Sequence, residues 1–512
     1  MSQTLDLVRV VALFGMVGNL CLADPVYTLT DDHLDFAPRN AATQARIAKV
    51  VAPITQFVTA EKFERRPAGA ATVRVHKTTG AFSQASANIS FEKELDFKVG
   101  NALFRKLWVS SPSSTIGSDG LGPLYNARSC QRCHIKDGRG HPPEGPEDNA
   151  ISLLMRVSIP GGETAATSEI ADYLATVPEP TYGKQLQDFS LAGHTSEYSL
   201  EIDHTDIEIA LSGGERAVLR QPVYRTANLG YGPLHNAAML SPRVAPQMIG
   251  LGLLEAIPVD DILAKADPED RDGDGVSGRP NIVWSLEYDK PMLGRFGLKA
   301  GNPTLWQQAA DAFAGDIGIS NPLFPDPWGE CTEPQTECRR ALHGDHPAQG
   351  GFEIDYGMMD LVTYYTRNLA VPVRRDINGP AVLRGKEMFY QSGCTGCHTP
   401  KYVTHRMADR PEQSFQLIWP YSDLLLHDMG EGLADHRPEA RATGLEWRTP
   451  PLWGIGLTKQ VSGHSYFLHD GRARSLLEAI LWHGGEAAPS RDKVVTMPKP
   501  DRSALILFLE SL

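Results

Sequence analysis

Two five-residue stretches, Cys130-Gln131-Arg132-Cys133-His134 and Cys394-Thr395-Gly396-Cys397-His398, constrain this chain more than anything else in it. Two thiols separated by two residues on one helical turn can form thioethers to the two vinyl groups of a haem, while the next residue turns its imidazole toward the iron. A lone cysteine pair could equally be a redox dithiol or half of a zinc site. Here each pair is followed at once by histidine, and no further pair exists to complete a zinc ribbon. Two copies therefore predict two covalent haem c groups, attached through Cys130, Cys133, Cys394 and Cys397 and ligated by His134 and His398.

The 512 residues suffice for two or three domains. With 49 Lys and Arg against 62 Asp and Glu, the formal charge is -13. That balance argues against nucleic acid or anionic lipid as a partner and suits docking to a small basic electron carrier. Residues 1–23 carry Arg9, an apolar run from Val10 to Leu22 and the close Cys21-Leu22-Ala23, which reads as a secretory signal peptide. The run is short for a membrane span and no later stretch approaches twenty apolar residues, so no membrane insertion is expected. Export agrees with haem c, which is attached outside the cytoplasm, and the expected location is the periplasm. Once Cys21 and the four haem cysteines are set aside, Cys331 and Cys338 remain. The short polar loop between them suits a disulfide in an oxidising compartment, with two free thiols as the alternative.

Residues 24–98 form an N-terminal extension with helical spacing over Ala41 to Thr59 and a linker-like Pro-Ala-Gly-Ala at 67–70. A first haem domain follows over 99–370, its opening helix expected from Gly100 through Trp108. Within it, alternation at Glu197 to Asp203 and Ala217 to Tyr224 predicts a β-rich insertion over about 151–226. Three patterns recur: the haem motif, Gly100-x-x-x-Phe104 with Gly385-x-x-x-Phe389, and Arg243-x-x-Pro246 leading to Gly250 and Gly252 with Arg448-x-x-Pro451 leading to Gly454 and Gly456. The expected fold is mainly α, two cytochrome c-like haem domains from an internal duplication, the second compact over 371–512. Its final amphipathic helix, Ser503 to Leu512, is expected to pack on the helix bearing the second motif.

Asp270, Asp272 and Asp274 stand at alternate positions before Gly275, the first half of an EF-hand-type loop within 267–281, with calcium as the natural guest. The twelfth position is Asn281 rather than glutamate, and the bland reading is a solvated acidic turn. What fills the second axial position of each haem decides between electron storage and peroxide chemistry. For the second haem the candidates are His483, on one stripe with Leu476 and Ile480, and then Met429; a helix-capping histidine is the structural alternative for His483, and a turn or supporting role is expected of His469. No distal ligand stands out for the first haem, although His141 lies close behind its motif. An open position there is where peroxide would bind, with Glu255 to move protons and Arg243 to stabilise the leaving oxygen, against a surface glutamate and a salt-bridged arginine. Trp108, Trp284 and Trp453 could relay electrons or simply pack the core.

With the motifs, Leu121 to Cys130, Asp137-Gly-Arg-Gly140, Ser241 to Pro246, Asp272 to Pro280, Gly294 to Ala300 and Phe467-Leu-His-Asp-Gly471 in hand, the chain resembles the di-haem oxidoreductases, also called thiol oxidoreductases, of the di-haem cytochrome c peroxidase and MauG superfamily. The resemblance implies that His134 and His398 are proximal ligands. It places His483 where the peroxidases have the methionine of their high-potential haem and MauG has a tyrosine, and it puts calcium near the domain boundary. The implied function is that of a periplasmic, peroxidase-like oxidoreductase: a small donor such as cytochrome c or a cupredoxin reduces the C-terminal haem, which feeds the N-terminal haem and a small-molecule oxidant. The rival readings are a non-enzymatic electron-transfer cytochrome serving a periplasmic partner, for example in iron uptake, and a haem-dependent oxygenase.

Overall fold

In the computed structural model, which describes residues 28–145, 148, 152–162 and 164–512, each haem motif follows a helix that glycine allows to lie against another. After α1 (Ala41–Val51), helix α2 (Glu94–Arg105) leads toward the first motif. A Cβ on its Gly100 would stand 2.1 Å from the Leu361 carbonyl oxygen. That oxygen belongs to the helix Tyr356–Arg367, so the backbones meet where no side chain fits. The helix Pro380–Gln391 leads to the second motif, and a Cβ on Gly385 would stand 1.9 Å from Ala504 O, on the last helix, Lys499–Ser511. One turn beyond each glycine a phenylalanine reaches its histidine: the Phe104 and His134 rings are 6.2 Å apart, those of Phe389 and His398 6.1 Å.

The two halves also meet reciprocally. Gly250 and Gly454 share a left-handed φ of 74°. The Trp453 ring packs on Gly250, and Ile249 packs on Gly454. Two residues later, Gly252 lies against the Arg367 carbonyl and Gly456 against that of Glu510, near the ends of the two helices that the first glycines touch.

Helix is about 30% and strand 18%, the strand in several small sheets, so helix is the larger share and the expectation of a mainly α chain holds in part. The strands gather in the first half. Strand β1 (Leu153–Pro160) pairs antiparallel with a later strand, Met239–Val244, with Leu154 opposite Arg243. The β region thus runs past the expected residue 226, because Arg243 and Val244 are themselves ladder positions. Between them, β2 (Ser199–Leu211) and β3 (Glu215–Ala227) form a long hairpin around Ser212-Gly213-Gly214. Its tip crosses to the second half: Leu211 and Leu219 join the core that holds Leu476 and Leu481. Ser212 N donates to Val495 O at 2.9 Å, Arg474 Nη2 to Val218 O at 2.6 Å, and Tyr224 Oη to Asp470 at 2.8 Å.

Several boundaries differ from expectation for identifiable reasons. Helix α2 starts at Glu94, with Glu94 and Asp96 in its first turn where the helix dipole favours acids. It stops before Trp108, whose backbone N–H is held by Arg128 O. Residues 67–70 are no linker, since Ala68 and Ala71 are buried in the core. The last helix begins at Lys499 because Pro500 sits in its first turn, where a missing N–H costs nothing, and it packs on Pro380–Gln391 rather than on the motif, whose Cys394–Gly396 is a single tight turn. Cys331 and Cys338 form a disulfide with Cα atoms 6.0 Å apart. The expected signal peptide lies outside the described residues. No helix among those described is long and apolar enough to cross a membrane.

Candidate functional site

Both haem motifs line one cavity of about 480 Å³. His134 Nδ1 is bonded to Pro246 O at 2.7 Å, and His398 Nδ1 to Tyr421 O at 2.9 Å. A backbone carbonyl fixes each as the Nδ1–H tautomer and leaves Nε2 for a metal. Burial lowers both imidazoles to about 4, against the pull of those carbonyls, so they are neutral as ligands must be. The same burial pushes the Cys130 and Cys394 thiols up to about 12 and raises Cys133 and Cys397 as well. A redox dithiol needs a depressed thiol, so that alternative finds no support. Two buried guanidinium nitrogens on the cavity wall, Arg139 Nε and Arg437 Nε, have no hydrogen-bond partner among the described residues, and the carboxylate edge of a haem would satisfy such donors. The donor set therefore fits two haems.

Two capped helices supply the other faces. The helix Leu305–Ala312 starts at Thr304, whose side chain accepts from Gln307 N; the helix Leu476–Leu481 starts at Ser475, whose side chain accepts from Glu478 N. Counting from these caps, the cavity is lined at matching positions: Leu305, Gln308, Ala309 and Ala312 on one, Leu476, Ala479, Ile480 and His483 on the other. His483 Nδ1 is bonded to Ala479 O at 2.7 Å, the same tautomer lock as on the two motif histidines. At the equivalent place the first helix has a methyl group.

The helix bearing Ala312 runs into a π-helical turn, Phe313–Ile317, an irregularity frequent at functional sites. It carries Asp316, also on the cavity wall, which accepts from Gln185 Nε2 at 2.8 Å. Burial raises its carboxyl to about 6, against Arg156 and Gln185, in the range where a carboxyl can both give and take a proton. Sequence reasoning missed Asp316; the only local signal was Gly315-Asp316-Ile317-Gly318 closing a helix.

The proton-transfer role expected of Glu255 does not match its place. Its carboxylate accepts from Arg410 Nη1 at 2.7 Å, Leu305 N at 3.0 Å and Arg367 Nε at 3.4 Å, and it does not line the cavity. Burial alone would raise it, but Arg367 and Arg410 prevail and hold it at about 2. It is an internal ion pair. Arg243 does line the cavity, yet its guanidinium pairs with Glu439 at 2.7 Å and lies over the Trp447 ring.

A family model described as "Di-haem oxidoreductase, putative peroxidase" matches residues 64–512. The chain belongs to this family. No curated protein matches it. One solved structure, Kuenenia stuttgartiensis hydrazine synthase pressurised with xenon, shares 19% identity over 32% of this chain and 57% of its own, at a TM-score of 0.22.

In this di-haem oxidoreductase the remaining expected residues divide. Met429 lines the cavity, its carbonyl against Gly484. His141 does not reach it: its Nδ1 bonds Pro142 O and its ring lies beside those of His464 and Tyr466. His469 lines the cavity, stacked on Trp447 with ring centroids 3.9 Å apart. Trp447, which the sequence did not single out, is thus the tryptophan on the wall, whereas Trp108 and Trp453 are buried away from it and Trp284 lies in a short strand. Asp270, Asp272 and Asp274 bring carboxylate oxygens within 4.8 Å of one another on an exposed loop. Asn281 is no ligand there, because its amide is spent on the Lys299, Glu439 and Arg441 backbones. The loop is tied inward instead: Ser277 Oγ donates to Glu486 at 2.6 Å, and His427 is bonded between Glu486 and Asp423 at 2.8 Å each.

Proposed function

We propose that this di-haem oxidoreductase reduces hydrogen peroxide or a related small oxidant at the haem attached through Cys130 and Cys133, with electrons arriving through the haem attached through Cys394 and Cys397. The reading rests on one observation: Ala312 stands eight residues past its helix cap, Thr304, and His483 eight past its own, Ser475, just beyond the end of that helix, and both line the cavity. His398 and His483 would then both hold the second iron, suited to electron transfer, while His134 alone would hold the first, where the matching position offers no second ligand and a small oxidant could be bound. The matched helices, glycine crossings and reciprocal Ile249 and Trp453 contacts support an internal duplication in which one copy lost its sixth ligand.

Bound haem supplies the electrons and the iron position for the oxidant. The chain does the rest. Ala312 makes room for a small molecule; Asp316, whose carboxyl burial raises to about 6, close enough to neutrality to exchange protons, would deliver and recover the protons that peroxide reduction consumes. Asp316 here replaces Glu255, while Arg243 and Arg437 keep Glu439 charged and hold positive charge at the wall. Trp447 and His469, on the wall shared by the two motifs, suit electron passage between them. The acidic surface suits a small basic donor such as a cytochrome c or cupredoxin, and the periplasm is the compartment consistent with haem c and the 331–338 disulfide. Calcium at Asp270 to Asp274 would act on the second haem through Ser277 and Glu486.

Peroxide consumption by the haem-loaded protein tests this. Ala312→His should abolish it while both haems stay attached; turnover equal to that of the parent would reject the assignment.

A further inference from the structure

One group of metal-ligating side chains shares no residue with the cavity wall. His343, Asp345 and Glu353 each offer a donor atom, all within 4.8 Å of one another. The segment carrying them is pressed onto the backbone at Gly120: a Cβ there would stand 2.4 Å from Glu353 Cγ and 3.0 Å from Gly344 Cα. Gly120 has a φ of 97°, so neither the conformation nor the space admits another residue readily.

The carboxylate of Glu353 is fixed before any ion arrives. Oε2 accepts from Ser320 N at 2.8 Å and from the Ser320 hydroxyl, and Oε1 accepts from Gly344 N at 2.9 Å. A carboxylate has about four acceptor positions, so one remains, on Oε1. His343 Nδ1 meets the Asp345 carboxylate directly. Charge points the same way. Glu353 is 1% exposed, and Asp119, next to Gly120, is 8% exposed with Oδ1 lacking a hydrogen-bond partner. Among the described residues, none of Asp119, Asp345 and Glu353 pairs with a lysine or arginine. Buried negative charge without a counter-charge is costly, and a divalent cation would offset it.

We infer that His343, Asp345 and Glu353 bind a divalent transition cation of the zinc type. One imidazole nitrogen with two carboxylates is a mixed donor set that suits such an ion, whereas the all-oxygen loop at Asp270 to Asp274 suits calcium. Three protein ligands leave a fourth position to solvent, since His346 is not among the residues whose donor atoms converge there. Through Glu353 and Ser320 the ion would clamp the segment just beyond the π turn that carries Asp316.

Calorimetric titration of the calcium-chelated, haem-loaded protein with zinc chloride tests this. The parent should bind one zinc per chain, and an Asp272→Asn, Asp274→Asn double variant should bind it equally. His343→Ala, at a side chain 45% exposed and so harmless to folding, should weaken binding at least tenfold, as should Asp345→Asn. Absence of zinc binding by the parent, or parental affinity in His343→Ala, would overturn the site.

Discussion

At the residue scale, the informative contrast is between two buried carboxyls that burial treats alike and neighbours treat differently. Glu255 has two guanidiniums, so its proton affinity falls from 4.5 to about 2. It contributes stability that is present above pH 4.5 and is lost as the pH falls toward 2. Glu255→Gln should lower unfolding stability at pH 7 by about 3 kcal/mol, because Arg367 and Arg410 are left without their counter-charge, and should leave the peroxide step intact; urea melts beside turnover assays read both. Asp316 goes the other way, from 3.8 to about 6. Between those values the folded protein holds a proton that the unfolded chain has released, so its contribution is full below pH 3.8 and is lost as the pH rises through 6. Asp316→Asn should flatten the stability profile between pH 4 and 6 and slow peroxide reduction by about a hundredfold. The motif cysteines and histidines were legible because their chemistry is written in five consecutive residues. Glu255 was misread because its partner Arg410 lies 155 residues away and nothing local announces it.

At the element scale, two helix crossings and one hairpin carry most of the geometry. Gly100→Ala and Gly385→Ala each place a methyl against a backbone carbonyl, and each should cost about 1–3 kcal/mol with a matching fall in thermal midpoint. Parallel effects would agree with the two halves being copies. These crossings were visible in the sequence as Gly-x-x-x-Phe repeats, though not their partners, since Leu361 and Ala504 sit in ordinary helical runs. The hairpin was visible as alternation, but its destination was not: period-two patterning says that one face is buried and is silent about which core receives it. Its tip docks beside the Leu476–Leu481 helix that positions His483. Shortening β2 and β3 by removing residues 207–219 should lower the thermal midpoint of the second half and loosen His483, seen as a growing high-spin component in optical spectra of the second haem.

At the scale of the whole molecule, both haem motifs line one cavity, and the matched helices there set Ala312 against His483. In the proposed division of labour His483 would close one centre and Ala312 would leave the other open, so that one haem could take electrons while the other meets an oxidant. The sequence held half of this: His483 stood out as a histidine on an apolar stripe, whereas Ala312 is one of several alanines in its helix and gains meaning only when both helices are counted from their caps. Electron paramagnetic resonance of the purified, haem-loaded protein, recorded fully oxidised and half reduced, tests the division most directly. The expected result is one low-spin centre that His483→Ala converts to high spin, beside one high-spin centre that Ala312→His converts to low spin. Two low-spin centres that persist in both redox states, unchanged by either substitution, would contradict it.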